Sequence, residues 1–170
     1  MVEMGVTKLQ VDTEPSGAVF NDDRSHRLYL WRRWNKSLPW LMLIGLNPSS
    51  ADERRNDPTV RRGIGFGYRW GYGGLFMCNA YTLVSTDPKR LNIEEPLVMG
   101  ANLAMRVIRD RCGEAIACWG ALITQVRGWE DRVERIKRDL GPLSCLGTTK
   151  DGHPRHPLYL PYTAERVKFR

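Results

Sequence analysis

Four short, nearly uninterrupted apolar runs are the feature that most constrains how this chain can fold. They are residues 40–46, 74–78, 115–119 and 143–146. A strand that is apolar at consecutive positions is covered on both faces, as parallel strands are when helices pack above and below the sheet. Three stretches with apolar residues at helical spacing lie between the runs, namely residues 57–70, 96–112 and 129–140. The sequence therefore predicts a three-layer α/β/α fold around a short four-stranded parallel sheet.

The segments before the first run extend this fold on its N-terminal side. Residues 27–34 mix aromatic and aliphatic residues with arginines in rough alternation, which is typical of a half-exposed strand. They predict an additional N-terminal strand or hairpin. Residues 1–17 are polar and aperiodic, and they predict a loosely ordered arm. Because 170 residues is near the commonest single-domain size, we expect one α/β domain over residues 18–170.

The composition indicates which kind of partner and which cellular compartment to expect. The 26 Lys and Arg against 19 Asp and Glu give a formal net charge of +7, which suits a polyanion such as DNA. The sequence shows no signal peptide and no apolar run of about 18 residues. We expect a cytoplasmic monomer that binds DNA and no membrane. Four cysteines form no Cys-x-x-Cys pair and are interpreted as buried free thiols: Cys78, Cys112, Cys118 and Cys145.

The candidate functional residues follow the ends of the predicted strands. In an open α/β sheet, ligands bind outside the carboxyl ends of the strands. Polar or glycine-containing segments occupy this position at residues 45–52, 79–81, 120 and 147–158. Each of them alone also fits a structural role, because Asn, Pro and Ser are ordinary turn residues and a histidine can bond a backbone carbonyl. Their common location at one edge of the sheet favours a binding site.

Several kinds of chemistry lack their motifs in this sequence. His153 and His156 are separated by Pro154 and Arg155, and no cysteine or glutamate pair has ligand spacing, so we predict no metal. The chain has no P-loop, no Gly-x-Gly-x-x-Gly and no Gly-x-Ser-x-Gly. Their absence argues against nucleotide hydrolysis, dinucleotide redox chemistry and serine hydrolysis. We therefore predict no cofactor.

The order of four motifs resembles that of the uracil-DNA glycosylase superfamily. That superfamily has a Gly-x-Asp/Asn-Pro turn after its first core strand, an apolar strand that ends in Asn, and a late His-Pro or Asn-Pro loop. The corresponding segments here are residues 45–48, 75–79, 118–120 and 156–158. More closely, four segments resemble domain-of-unknown-function family 1643, a bacterial and phage family without an assigned activity. They are residues 46–52, 57–62, 70–74 and 156–159.

The glycosylase resemblance implies an enzyme that flips a modified, mismatched or deaminated base from DNA and hydrolyses its N-glycosidic bond. It implies that Asn47 orients the attacking water, that Asn79 binds the base edge and that His156 stabilises negative charge on the departing base. Leu158, with Tyr159 beside it, would be the apolar wedge that fills the gap left by the base. The motifs imply further substrate-binding positions at Gly45, Pro48, Ser49 and Tyr81.

Basic residues near these motifs are the predicted contacts to DNA phosphates. They are Arg54, Arg61, Arg62, Lys150 and Arg155. The iron-sulfur branch of the superfamily has a cysteine pair ahead of its first motif, and no cysteine precedes Cys78 here, so we predict no cluster.

Two assignments stay open. His153 competes with His156, because residues 147–156 form a longer loop than the superfamily has at this point. Strong uracil excisers carry a carboxylate where this chain has Asn47, so a carboxylate elsewhere competes with Asn47 as the group that activates water. The candidates are Asp52, Asp57 and Asp151.

Two other functions fit the same residues. The first is a nucleic-acid-binding protein that recognises a flipped base without cutting it. The second is an enzyme that tailors modified bases or free nucleotides. A DNA binder is expected to weaken steeply as salt rises, whereas a small-molecule enzyme is not.

Overall fold

The structure, a computed structural model that describes residues 10–170, contains one seven-stranded mixed sheet. Its strands are β1 (Ser16–Phe20), β2 (Arg27–Arg33), β3 (Trp40–Gly45), β4 (Gly74–Asn79), β5 (Cys112–Ala117), β6 (Leu143–Cys145) and β7 (Val167–Phe169). Their order across the sheet is β1-β2-β4-β3-β5-β6-β7. The pairs β3–β4, β3–β5 and β5–β6 are parallel, and the pairs β1–β2, β2–β4 and β6–β7 are antiparallel.

The α/β class is as predicted, but the sheet is mixed and has more strands than the predicted four-stranded parallel sheet. Strand β2 is not half-exposed, because it lies inside the sheet between β1 and β4. Its arginines mislead the pattern analysis, since Arg27 and Arg32 are buried through hydrogen bonds to backbone carbonyls. Strand β7 has only three residues and no apolar run, so the sequence carries no signal for it.

Three α-helices within residues 10–170 cover the sheet: α1 (Pro58–Arg69), α2 (Ala101–Arg109) and α3 (Trp129–Leu140). Helix α1 begins as predicted, because the Asp57 carboxylate accepts a hydrogen bond from the Val60 amide and Pro58 occupies the first turn. Helix α3 has the predicted bounds. Helix α2 is shorter than the predicted 96–112, because Gly100 precedes it with a φ of 87° and Cys112 already belongs to β5.

Alternating strand residues build a separate core on each face of the sheet. On one face, Leu41, Leu43 and Leu75 pack with Val60 and Phe66 of α1. The opposite face packs against α2 and α3 through residues such as Met42, Ile44, Phe76, Met105, Ile108, Val133 and Ile136. All four cysteines are buried and free, as predicted. Since both faces are covered, the ends of the strands are where a ligand can approach.

The predicted N-terminal arm falls partly outside the described residues. Within them, Gln10–Asp12 form a 3₁₀ helix, and the Val11 side chain is buried. Strand β1 begins at Ser16, slightly ahead of the predicted start of the domain at residue 18. No helix within residues 10–170 is long and apolar enough to cross a membrane.

Candidate functional site at the carboxyl edge of the sheet

A cavity of about 800 Å³ opens at the carboxyl edge of the parallel strands. Residues that follow four different strands meet in its wall. The residues predicted from the sequence that line it include Gly45, Asn47, Ser49, Asp57, Asn79, Arg155, His156, Leu158 and Tyr159. The volume lies within the range of about 300–1,000 Å³ that is typical of small-molecule sites.

The end of β3 presents an amide oxygen to the cavity. The Asn47 Nδ2 group donates to three backbone carbonyls, those of Ser85 (2.8 Å), Pro48 (3.1 Å) and Leu83 (3.2 Å). This nitrogen therefore ties the turn after β3 to the segment after β4. The Asn47 Oδ1 atom accepts no hydrogen bond from residues 10–170, and it is the part of this side chain that can bind a ligand or water.

The end of β4 presents the opposite polarity. The Asn79 Oδ1 atom accepts a hydrogen bond from the Arg27 Nη2 group at 3.1 Å. Because a guanidinium only donates, this contact fixes which end of the amide faces it. The Nδ2 group points to the Gly45 side, where a Cβ on residue 45 would lie 2.8 Å from it. Glycine at this position leaves room for the Asn79 donor.

Arg27 lies behind Asn79 as a buried cation. Its side chain is 2% exposed and lines the cavity. The Nη1 group donates to the Ala51 carbonyl at 2.9 Å, while the Nε atom is buried without an acceptor among the described residues. Burial lowers the pKa of Arg27 to about 10, so the guanidinium remains charged at neutral pH.

His156 reaches the cavity because the loop that precedes it folds back on itself. Thr148 forms a β-bridge with Pro154, and the Arg155 amide donates to the Gly147 carbonyl at 3.0 Å. The Gly120 amide then donates to the Pro154 carbonyl at 3.0 Å, which attaches the loop to the end of β5. The greater length of this loop therefore forms a small hairpin and does not carry His156 away from the site.

The hydrogen bonds of His156 define its protonation state. The Leu158 amide donates to His156 Nδ1 at 3.3 Å, so Nδ1 is an acceptor and the proton of the neutral ring is on Nε2. Burial lowers the pKa of His156, and the field of Asp57 opposes this shift. At neutral pH the ring is thus a neutral Nε2–H donor.

Asp57 is the carboxylate that lines the cavity among the three that compete with Asn47. Its charge raises the pKa of both Arg27 and His156, against the effect of burial. Asp52 instead closes its own turn: the amides of Arg54 and Arg55 bond to it, and these bonds lower its pKa to about 2. Asp151 lines a smaller cavity elsewhere.

Other predicted residues lie away from the main cavity. His153 lines the smaller cavity of about 240 Å³, where its ring meets Trp129 edge to face at 5.1 Å. Tyr81 is buried behind the end of β4, and burial raises its pKa to about 12. Pro48 is buried, and its contribution is a carbonyl that accepts from the Ser85 amide at 2.9 Å. The structure therefore brings His156 to the site and leaves these three out of it.

Some of the basic residues predicted to contact phosphates are exposed, and others already donate hydrogen bonds within the protein. Arg54, Lys150 and Arg155 are exposed, and Arg155 lies on the cavity wall. Arg61 is exposed, but its Nη1 group donates to the Asn56 carbonyl at 2.5 Å.

Arg62 has a structural role. Its guanidinium donates to the carbonyls of Pro157 and Leu160 and lies 3.9 Å from the centre of the Tyr162 ring. It therefore holds the segment after His156 against α1, and it has little capacity left for a phosphate.

Three parts of the cavity wall were not predicted from the sequence. Arg27 was hidden in a strand pattern that predicted half exposure. Ser85 and Thr86 come from the loop after β4, and the 3₁₀ helix Ala121–Gln125 follows Gly120 at the end of β5. Because that helix directly follows a strand end, its residues could have been predicted to line the cavity. No group of three or more potential metal ligands occurs within the described part of the chain.

The structure is thus that of an α/β protein with a cavity at the carboxyl edge of its parallel strands. A family model described as "Protein of unknown function (DUF1643)" matches residues 27–158, and the chain belongs to this family. No curated protein and no solved structure matches the chain. The matched range begins at Arg27 and ends at Leu158, which both line the cavity, so it spans all four strand ends.

Proposed function

We propose that the protein is a DNA glycosylase-like enzyme with a fold of the uracil-DNA glycosylase type, which hydrolyses the bond between one flipped base and its sugar. The observation that carries this proposal is that Asn47, Asn79 and His156, from three separate motifs, line one cavity. Parallel strands with helices on both faces, and a cavity at their carboxyl edge, support a fold of this type.

Water is held by two groups of the wall. The Asn47 Oδ1 atom is fixed by the three hydrogen bonds of its own nitrogen, so it can orient a water molecule at no further conformational cost. The Asp57 carboxylate uses Oδ1 to cap α1, which leaves Oδ2 to take a proton. The water oxygen forms a bond to the sugar carbon while the bond from that carbon to the base breaks.

The leaving base receives the electron pair of the broken bond. Two neutral donors are available to stabilise it, the Nδ2 group of Asn79 and the Nε2 group of His156. Donors fixed before the reaction stabilise developing charge without reorganisation, and removing one typically costs about 10²–10³ in rate. The proton that the water loses to Asp57 balances the proton that the departing base takes up.

The rim of the cavity suits a nucleic acid. Leu158 is 38% exposed and Tyr159 is 82% exposed, and both lie at the entrance. Apolar side chains at such a position wedge into a base stack and fill the space of an extruded nucleotide. Arg155 beside them provides a charge for the flanking phosphates.

The test is incubation of the protein with oligonucleotides that carry uracil, mismatches or modified bases, scored for alkali-labile abasic sites. We expect the wild type to make abasic sites and Asn47→Ala and His156→Ala to lose about 10²-fold or more in rate. His153→Ala is the matched control, because this ring lies in the smaller cavity.

The other outcomes separate the alternatives. DNA binding that weakens steeply with salt, without excision of any base, contradicts the glycosylase and favours recognition alone. Tight binding of a nucleotide with little response to salt contradicts it in favour of an enzyme that tailors bases.

A further inference from the structure

Arg27 is the most deeply buried charged residue in the described part of the molecule. All eight ion pairs found within residues 10–170 involve other residues, and each has a partner that is exposed or only partly buried. Arg27 is 2% exposed and has only neutral acceptors, the Ala51 carbonyl and the Asn79 side chain. A buried charge is costly unless it is paired, so a chain that keeps one at a cavity wall has a use for it there.

The contact with Asn79 transmits this charge to the cavity. A charge-assisted hydrogen bond polarises the group that accepts it, and hydrogen bonds in series strengthen one another in a low-dielectric interior. Electron density drawn towards Asn79 Oδ1 makes the Nδ2–H group of the same amide a stronger donor. This polarised Nδ2–H group of Asn79 faces the Gly45 side of the cavity.

The other charges near Arg27 do not cancel this effect. Asp57 raises the pKa of Arg27 but is not within ion-pair distance of it, and the Val60 amide at the start of α1 bonds to its carboxylate. Arg32, on the same strand, adds positive charge. His156 is neutral because burial lowers its pKa. Arg27, Arg32 and Asp57 together therefore leave a net positive charge behind Asn79.

We propose that Arg27 is a positioning residue that orients and polarises Asn79, so that this end of the cavity prefers an anionic heterocycle to a neutral one. The inference rests on the proposed function in taking the ligand to be a base. In the reaction, the electron pair of the broken bond moves onto the base nitrogen, and the Arg27–Asn79 pair stabilises that anion. The water oxygen becomes the new hydroxyl of the sugar.

The test compares two free bases of the same ring, uracil and 5-nitrouracil, by calorimetric titration at a pH where the nitro compound is ionised and uracil is neutral. We expect the wild type to bind the anion about tenfold or more tightly than uracil. In Arg27→Met this ratio falls towards one, because the charge is gone. Arg27→Lys keeps the charge but lacks the planar group that donates to both Ala51 and Asn79, and it retains part of the ratio.

Arg132→Met is the matched control. Arg132 is also a buried arginine, 7% exposed, whose Nε group donates to the Ala80 carbonyl, but it does not line the cavity. This variant is expected to lose stability and keep the preference for the anion. Thermal unfolding of each variant separates loss of folding from loss of preference.

The outcomes distinguish this inference from the proposed function. Equal binding of the two bases by the wild type, or no binding of either, overturns the inference, as does an unchanged ratio in a folded Arg27→Met. If Arg27→Met does not fold, Arg27→Lys takes its place, and a ratio that falls no further in Arg27→Lys than in Arg132→Met overturns the inference. A clear preference for the anion without excision of any base leaves the inference standing and contradicts the glycosylase.

Discussion

The ends of β3 and β4 are neighbours in the sheet and carry the same functional side chain, yet they offer the cavity opposite polarity. Asn47, after β3, uses its nitrogen on three backbone carbonyls and presents its oxygen. Asn79, at the end of β4, uses its oxygen on Arg27 and presents its nitrogen. The identity of a side chain thus does not define its chemistry, because the groups behind it decide which atom is available. One asparagine leaves an acceptor available, and the other leaves a donor.

The first way to break this contrast is Asn47→Asp. A carboxylate cannot donate, so it would face the carbonyls of Ser85, Pro48 and Leu83 with a negative charge. We expect the free energy of unfolding to fall by about 3 kcal/mol, and no gain in excision, because the turn after β3 loses its ties. Urea unfolding measures the change. Asn35→Asp is the control, since the oxygen of that exposed residue already accepts from Ser37.

The same substitution at the end of β4 is expected to have the reverse effect on stability. In Asn79→Asp, a carboxylate oxygen still accepts from Arg27 and now pairs with its charge. We expect a gain of about 1.5 kcal/mol in the free energy of unfolding, together with loss of base binding because no donor faces the cavity. Equal loss of stability in Asn47→Asp and Asn79→Asp would show that the two strand ends are alike.

Asp57→Asn sharpens the account of how water is activated. Asparagine caps a helix as well as aspartate does, so the hydrogen bond to Val60 and the fold are retained. We expect excision to slow about tenfold, equivalent to about 1.4 kcal/mol in the barrier, because the proton acceptor is gone.

Two observations accompany that rate. The pKa of His156 should fall further in Asp57→Asn, since the carboxylate that opposes the burial effect is removed, and NMR titration of the ring measures this. Asp87→Asn is the control, because Asp87 also precedes a proline and caps a short helix but does not line the cavity. A wild-type rate in Asp57→Asn would mean that Asp57 takes no proton from the water and that Asn47 alone acts on it.

The smallest expected effect is on the pH dependence of stability. Burial lowers the pKa of His156 below its ordinary value, so the unfolded chain binds the proton more tightly than the folded one. The contribution of this neutral ring is full above the ordinary histidine value of about 6.5 and is lost as the pH falls below it. We expect His156→Gln to lose less stability than the wild type between neutral and acidic pH. An identical slope in the two proteins would contradict a buried neutral ring.

Much of the fold could be predicted from local pattern. The Asp-Pro start of α1 and the apolar stripe of α3 gave their bounds closely, because caps and helical periodicity are local signals. Strand β7 and the internal position of β2 could not be predicted, since both depend on pairing with distant strands. The burial of the β2 arginines could not be predicted for the same reason. Their hydrogen-bond partners are spread over residues 17–79, and the sequence does not show that they meet.

The candidate site was predictable in location and only partly in content. Asn47, Asn79 and His156 could be placed together because each follows a strand end at the same edge of the sheet. Tyr81 could not be told from a cavity residue, since its distance from the strand end gives no direction for its side chain. Arg62 fits a phosphate contact by charge alone, and only the carbonyls of Pro157 and Leu160 reveal its structural role.

The most direct test of the central claim is the single-turnover rate of base release by the wild type, Asn47→Ala, Asn79→Ala and the double variant. Residues that act on one bound base are not additive, so we expect the double variant to be about as slow as the slower single variant. Losses that multiply would mean that Asn47 and Asn79 act independently. An absence of base release by the folded wild type would contradict a hydrolytic site at these strand ends altogether.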